Sequence, residues 1–151
     1  MNPFEKWSVW VTSALSGFTG GGYFWTKYLV QNTDPFSVLN HPLQPWFLKA
    51  HIIISPFLLI ALGSILLRHI WKHFRLGAFL GRRSGLTTAL VSLPMVVSGY
   101  FIQSVTHPGR LATLAVSHIA LSGLYLAGLS VHQVVVHRRQ ERDGAPYISD
   151  I

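Results

Sequence analysis

The sequence predicts an all-α integral membrane protein: an up-down four-helix bundle with both termini in the cytoplasm. Three observations predict it. Half of the 151 residues are hydrophobic and only 11% are charged, against about 25% charged in a typical soluble domain. The apolar residues fall into four blocks, each of about 20 residues or more, enough to cross a hydrocarbon core of about 30 Å. Positive charge is distributed unequally between the two ends of those blocks.

The first block covers about 7–30, is rich in Gly, Ser and Thr, and carries Lys27 near its end. The second, about 46–73, is strongly apolar and contains Pro56. The third, about 86–105, contains Pro94, and the fourth covers about 111–137. Helices are expected because an isolated strand would leave backbone groups unpaired in lipid. Each internal proline removes a hydrogen bond to the carbonyl four residues earlier, so a kink is expected at both. Residues 31–45 hold three prolines and read as an ordered outer loop, and residues 138–151 read as a polar tail. The whole chain, 1–151, reads as one membrane domain.

Charge orients the bundle. Four crossings put the N-terminus, the loop between the second and third helices, and the C-terminus on one side. That side collects Lys6, Arg68, Lys72, Arg75, Arg82, Arg83, Arg138, Arg139 and Arg142, and the other has Lys27, Lys49 and Arg110. Nine against three is a positive-inside bias that makes the first side cytoplasmic. The expected location is a membrane crossed several times, and the family resemblance given below implies a bacterial inner membrane. The net charge of +7 therefore reports membrane topology rather than nucleic-acid binding, since the basic residues flank apolar blocks. The N-terminus, with Lys6 as its one basic residue, does not read as a cleavable signal. There is no cysteine, which excludes disulfides, iron–sulfur ligation and covalent attachment of c-type haem through C-x-x-C-H.

Four histidines carry the functional signal. His51 and His69 lie 18 residues apart on the second helix, and His118 and His132 lie 14 apart on the fourth. At 100° per residue, 18 steps return to the same azimuth and 14 miss it by about 40°. Each pair therefore shares a helix face, its members separated by about 27 and 21 Å of rise. No Asp or Glu occurs from Pro35 to Gln140, so these rings have no carboxylate partners in the apolar blocks. Helices two and four run in the same direction in an up-down bundle. His51 and His118 then form an outer pair, and His69 and His132 an inner pair. Two imidazoles on opposite sides of a flat macrocycle suit a six-coordinate, non-covalent b-type haem, and the arrangement has room for two. Gly17, Gly20, Gly21 and Gly22 on the first helix and Gly99 on the third offer surfaces without side chains for haem to approach. Arg68, Lys72, Arg82 and Arg83 are candidates for the inner propionates, Arg110 and Lys49 for the outer ones. His41 and His107 read as loop or interface residues, with contact to a quinone or partner protein as their other candidate role.

The two halves echo each other. SGF at 16–18 resembles SGY at 98–100, HP at 41–42 recurs at 107–108, and HIIIS at 51–55 resembles HIALS at 118–122. Two related helix hairpins are one reading of this order.

The histidine positions, helix order and short SGY and HP features resemble the small four-helix di-haem cytochrome b subunits of bacterial membrane oxidoreductases. These include the anchors of hydrogenases and formate dehydrogenases and the b561-like proteins. The resemblance covers about 7–137. It implies quinone-linked electron transfer in a respiratory chain, with two haem b groups held by His51, His69, His118 and His132. It also implies a quinone as a further ligand, and a periplasmic cytochrome or metalloprotein among the other subunits of a redox complex. The chain lacks the fifth helix and the first-helix ligand of the hydrogenase type. An electron-transfer subunit of this kind is not a stand-alone enzyme, because the cofactor carries the redox step. The competing readings are a haem-free membrane anchor or assembly subunit and a histidine-based transporter; the acid-free core weighs against the transporter.

Overall fold

The computed structural model describes residues 3–32, 34, 36–66 and 82–143, without the side chains of 82–84, 139–141 and 143. All regular elements among them are helical: α1 (Pro3–Phe24), a π-helical turn (Trp25–Leu29), α2 (Gln44–Ile65), α3 (Arg82–Ser104) and α4 (Pro108–Asp143). α2, α3 and α4 contain stretches long and apolar enough to cross a membrane: Gln44–Ile65, Gly85–Ser104 and Pro108–Arg138. α1 is long enough but falls short in hydropathy. The chain divides into two compact units, residues 1–65 and 66–151.

In the first unit α1 packs against α2, and α1 is built with its polar side inward. Its buried residues are Val9, Ser13, Ser16 and Thr19. Phe4, Trp7, Val11, Leu15 and Phe18 are exposed, at steps of three and four, and so form one apolar stripe. Inward hydroxyls are what lower the hydropathy of α1. They cost little because most satisfy themselves on their own helix. Ser8 donates to Phe4 O (2.8 Å), Thr12 to Ser8 O (2.6 Å) and Thr19 to Leu15 O (2.8 Å), the i−4 pattern that hides hydroxyls in an apolar medium. At the far end Phe47 of α2 packs onto Gly22, and its ring meets Phe18 edge-on at 6.0 Å.

The connection from the π-helical turn to α2 is tied by its own side chains. Asn40 Nδ2 donates to Lys27 O (2.7 Å) and Asn32 Nδ2 to Leu39 O (2.7 Å). Asn32 and Asp34 accept the backbone N–H groups of Asp34 and Phe36, forming successive Asx turns. His41 starts α2. Its Nδ1 accepts the Leu43 N–H (3.1 Å) and its carbonyl accepts the Gln44 N–H (3.0 Å).

In the second unit α3 and α4 pack as an antiparallel pair. Gly85 meets His132; fourteen residues further along α3, Gly99 meets His118, fourteen residues earlier on α4. Thr88 sits against Gly128 between them. Buried Met95, Tyr125 and Leu129 supply the apolar core. α4 starts at the second HP pair: Pro108 occupies the first helical turn, where it loses no bond, and His107 O accepts the Leu111 N–H (2.9 Å).

Pro56 lies within α2 and Pro94 within α3, neither ending its helix. Two features differ from the sequence reading. α4 runs five residues past Arg138, to Asp143, because the Arg–Arg–Gln–Glu–Arg run consists of strong helix formers. α1 begins at Pro3 rather than near residue 7, proline again suiting a helix start.

Gly21 and Gly22 give a paired test. A Cβ at Gly22 would stand 2.5 Å from Phe47 Cε1, whereas one at Gly21 meets nothing within 4 Å. Gly22→Ala is expected to destabilise the protein by about 1–3 kcal/mol through overpacking. Gly21→Ala is expected to be neutral or slightly stabilising through helix propensity. Unfolding midpoints of both variants in detergent micelles check this.

Candidate functional site: two histidine cradles

His51 lies across α1. Its Nδ1 is 3.1 Å from Ser16 O and 3.3 Å from Thr19 Oγ1. A carbonyl can only accept, so Nδ1 carries the proton. The Thr19 hydroxyl agrees: its one proton goes to Leu15 O at 2.8 Å, leaving it an acceptor toward the ring. In the neutral imidazole the lone pair is then on Nε2. The ring can lie this close because residue 20 is glycine; a Cβ there would be 3.0 Å from His51 Cε1.

His118 repeats this geometry in the second unit. Its Nδ1–H donates to Met95 O (2.9 Å) and to Ser98 Oγ (3.3 Å). The Ser98 hydroxyl donates to Met95 O (2.9 Å), so it too accepts from the ring. A Cβ at Gly99 would be 3.0 Å from His118 Cε1. Each cradle therefore has three parts: a helix carbonyl, a hydroxyl three residues on and a glycine four residues on. The carbonyl and hydroxyl set the tautomer, and the glycine admits the ring. A hydrogen bond from one ring nitrogen to a backbone carbonyl is the usual support of a metal-ligating histidine, holding the other nitrogen toward the metal.

The structure also places the repeat. Thr19–Gly20 corresponds to Ser98–Gly99, and Ser16 corresponds to Met95. The match between SGF at 16–18 and SGY at 98–100 is thus out of structural register by three residues. HIIIS and HIALS are equivalent, since they carry His51 and His118 to the same place in each hairpin.

His132 sits on the same face of α4 and packs on a third glycine, with its Cε1 3.1 Å from a Cβ at Gly85. His69, Arg68 and Lys72 lie outside the described residues, as do the side chains of Arg82 and Arg83 at the start of α3. Gly17 is half-buried and Gly21 exposed on α1. Arg110 is exposed in the first turn of α4. His51 and His118 belong to different units, and each unit stands by itself here. Among the described residues no group of three or more His, Cys, Asp or Glu could hold a metal ion; bis-imidazole ligation requires two rings.

Sequence reasoning missed Thr19, Ser98 and the two carbonyls, and took Gly99 as room for a macrocycle rather than for an imidazole. A signal was present. Each glycine that meets His51, His118 or His132 follows a Ser or Thr: Thr19–Gly20, Ser98–Gly99 and Ser84–Gly85. His41 is the contrast, since its Nδ1 accepts a backbone N–H and its proton is therefore on Nε2.

No protein-family model, curated protein or solved structure matches the chain.

Thr19→Val and Ser98→Ala remove one of two acceptors. Each is expected to cost about 0.5–1.5 kcal/mol while the carbonyl keeps the proton on Nδ1. Gly99→Ala is expected to displace the His118 ring. Imidazole ¹⁵N shifts check this: the first two variants should keep the Nδ1–H pattern and the third should lose it.

Proposed function

We propose that the protein is a transmembrane electron-transfer subunit carrying two b-type haems, each between an imidazole of α2 and one of α4. The observation that carries the reading is the duplicated cradle. His51 and His118 are held in the tautomer that puts a lone pair on Nε2, in an apolar chain with few acids to explain them. A packing histidine needs only some hydrogen-bond partner. Two with the same three-part support fit ligands better.

His51 and His118 would hold the outer haem, His69 and His132 the inner one. The group, when bound, supplies one-electron redox chemistry. The chain's own residues orient the imidazoles and fix their protons. Full bis-imidazole ligation leaves no open coordination position, which favours electron transfer over oxygen activation. Arg68, Lys72, Arg82 and Arg83 remain the candidates for the inner propionates, and Arg110 for the outer ones.

The reading includes α1 as a fourth crossing. Its outward apolar stripe and inward hydroxyls suit lipid on one side and α2 on the other. Four crossings and the nine-to-three charge bias both put the termini in the cytoplasm of a bacterial inner membrane. The quinone pool would exchange electrons at one side, and a periplasmic cytochrome or metalloprotein would dock at the other, on residues 31–45 and 106–110. The assignment of partners follows the resemblance of the histidine positions and helix order to small di-haem cytochrome b subunits. The absence of Asp and Glu from Pro35 to Gln140 disfavours a histidine relay transporter.

The full chain purified from haem-replete cells is expected to show the reduced α band of b-type haem. His51→Ala or His118→Ala should remove about half of it, since these two residues would together hold one of the two haems. A colourless preparation, or full haem content in both variants, would sink the reading in favour of a haem-free anchor.

A further inference from the structure

The two hairpins are joined differently. α3 passes to α4 through three residues, 105–107, whereas the π-helical turn passes to α2 through fourteen, 30–43. Both routes reach the second helix through an HP pair, His41–Pro42 and His107–Pro108. Three residues are thus enough to reverse a hairpin of this design, and the longer connection needs a reason of its own.

That connection turns apolar side chains outward. Phe36 is 92% exposed and Val38 97%, and Leu29, Leu39, Leu43 and Trp46 are exposed near them in the chain. Single exposed apolar residues are ordinary; a run this dense marks a surface that is covered in use. Residues 34 and 36–39 are tied down beneath it. The Asp34 side chain accepts the Phe36 N–H (3.0 Å) and the Asp34 carbonyl accepts the Ser37 N–H (3.2 Å). The Leu39 carbonyl accepts from Ser37 Oγ (2.8 Å) and from Asn32 Nδ2 (2.7 Å). Asp34 is the one charged residue between Val30 and Leu43, so charge gives a polar partner little to hold.

The two feet of the loop indicate what covers it. Lys27 Nζ stands 5.3 Å from the ring centroids of both Tyr23 and Tyr28, and Lys49 Nζ stands 5.3 Å from that of Trp46. Trp25 meets His41 with ring centroids 5.8 Å apart. Tyrosine, tryptophan and lysine at the end of an apolar helix favour the layer between water and hydrocarbon, where an apolar body and a polar tip are both accommodated. α2, long and apolar enough to cross a membrane, begins at Gln44, directly after the loop.

We infer that residues 36–39 rest in the phospholipid headgroup layer of the leaflet where α2 begins, with the Phe36 and Val38 side chains reaching the upper acyl chains and Lys27 and Lys49 meeting lipid phosphates. This rests on α2 crossing the membrane and not on haem. It leaves a redox partner the polar residues of the loop and residues 106–110.

The chain has no cysteine, so single nitroxide labels can be placed without altering anything else. Phe36→Cys and Val38→Cys are labelled separately in the full chain, in vesicles of phosphatidylethanolamine and phosphatidylglycerol. Ile60→Cys, at an exposed position of α2, and Arg142→Cys, at the polar end of α4, are the references. Power-saturation electron paramagnetic resonance reads collisions with oxygen, which enters lipid, and with a hydrated nickel complex, which does not. The oxygen-to-nickel ratio at positions 36 and 38 is expected to be about tenfold above that at 142 and to approach that at 60, because hydrocarbon excludes a strongly hydrated complex. Ratios at 36 and 38 equal to that at 142, with 60 still in lipid, would overturn the inference alone and leave the loop to a protein partner. A low ratio at 60 as well would overturn the membrane reading of α2 along with it.

Discussion

The arrangement rests on one interaction: an imidazole Nδ1–H directed at a helix carbonyl that a glycine one turn later leaves uncovered. Ordinary helical residues shield their carbonyls with a Cβ at the i+4 position. At Gly20 and Gly99 that shield is missing, and His51 and His118 reach Ser16 O and Met95 O. In an apolar surrounding a polar ring must find partners inside the protein. The carbonyl and the neighbouring hydroxyl supply them without spending an acid. This is how the chain keeps imidazoles in its apolar helices although Glu5 and Asp34 are its only acids before residue 141.

Glycine and hydroxyl residues thus have different duties in this sequence. The glycines set approach distances, and Gly22 against Phe47 does the same for an aromatic ring. The hydroxyls make short-range bonds along their own helices and become acceptors for whatever comes from outside. Thr19, one of the hydroxyl side chains that weaken the apolar character of α1, is the one that supports the His51 ring. A fully apolar α1 would lack the second acceptor beside the ring.

Much of this was legible in the residues. Apolar blocks marked the four helices, and the two HP pairs lie where α2 and α4 begin. The matching histidine pentapeptides marked the equivalent points of two hairpins. Other parts were not. The extents of α1 and α4 were misjudged because Pro3 and the charged run after Arg138 look like loop by hydropathy but are good helix material. The repeat was aligned on Ser–Gly identity, whereas the geometry pairs Thr19–Gly20 with Ser98–Gly99. A methyl group separates Thr from Ser, and the bond to an imidazole is indifferent to it. The carbonyls of Ser16 and Met95 could not be read at all, since a backbone acceptor leaves no mark on side-chain identity.

The inside-out build of α1 bears on how the chain reaches its destination. Alone, the helix would present Ser13, Ser16 and Thr19 to hydrocarbon, and its hydropathy is too low for it to be drawn in by itself. Laid against α2, it hides that face and shows only Phe4, Trp7, Val11, Leu15 and Phe18. With α1 as the fourth crossing proposed above, the smallest piece acceptable to the bilayer would be the hairpin, and insertion of the N-terminal helix would wait during synthesis until α2 had emerged from the ribosome.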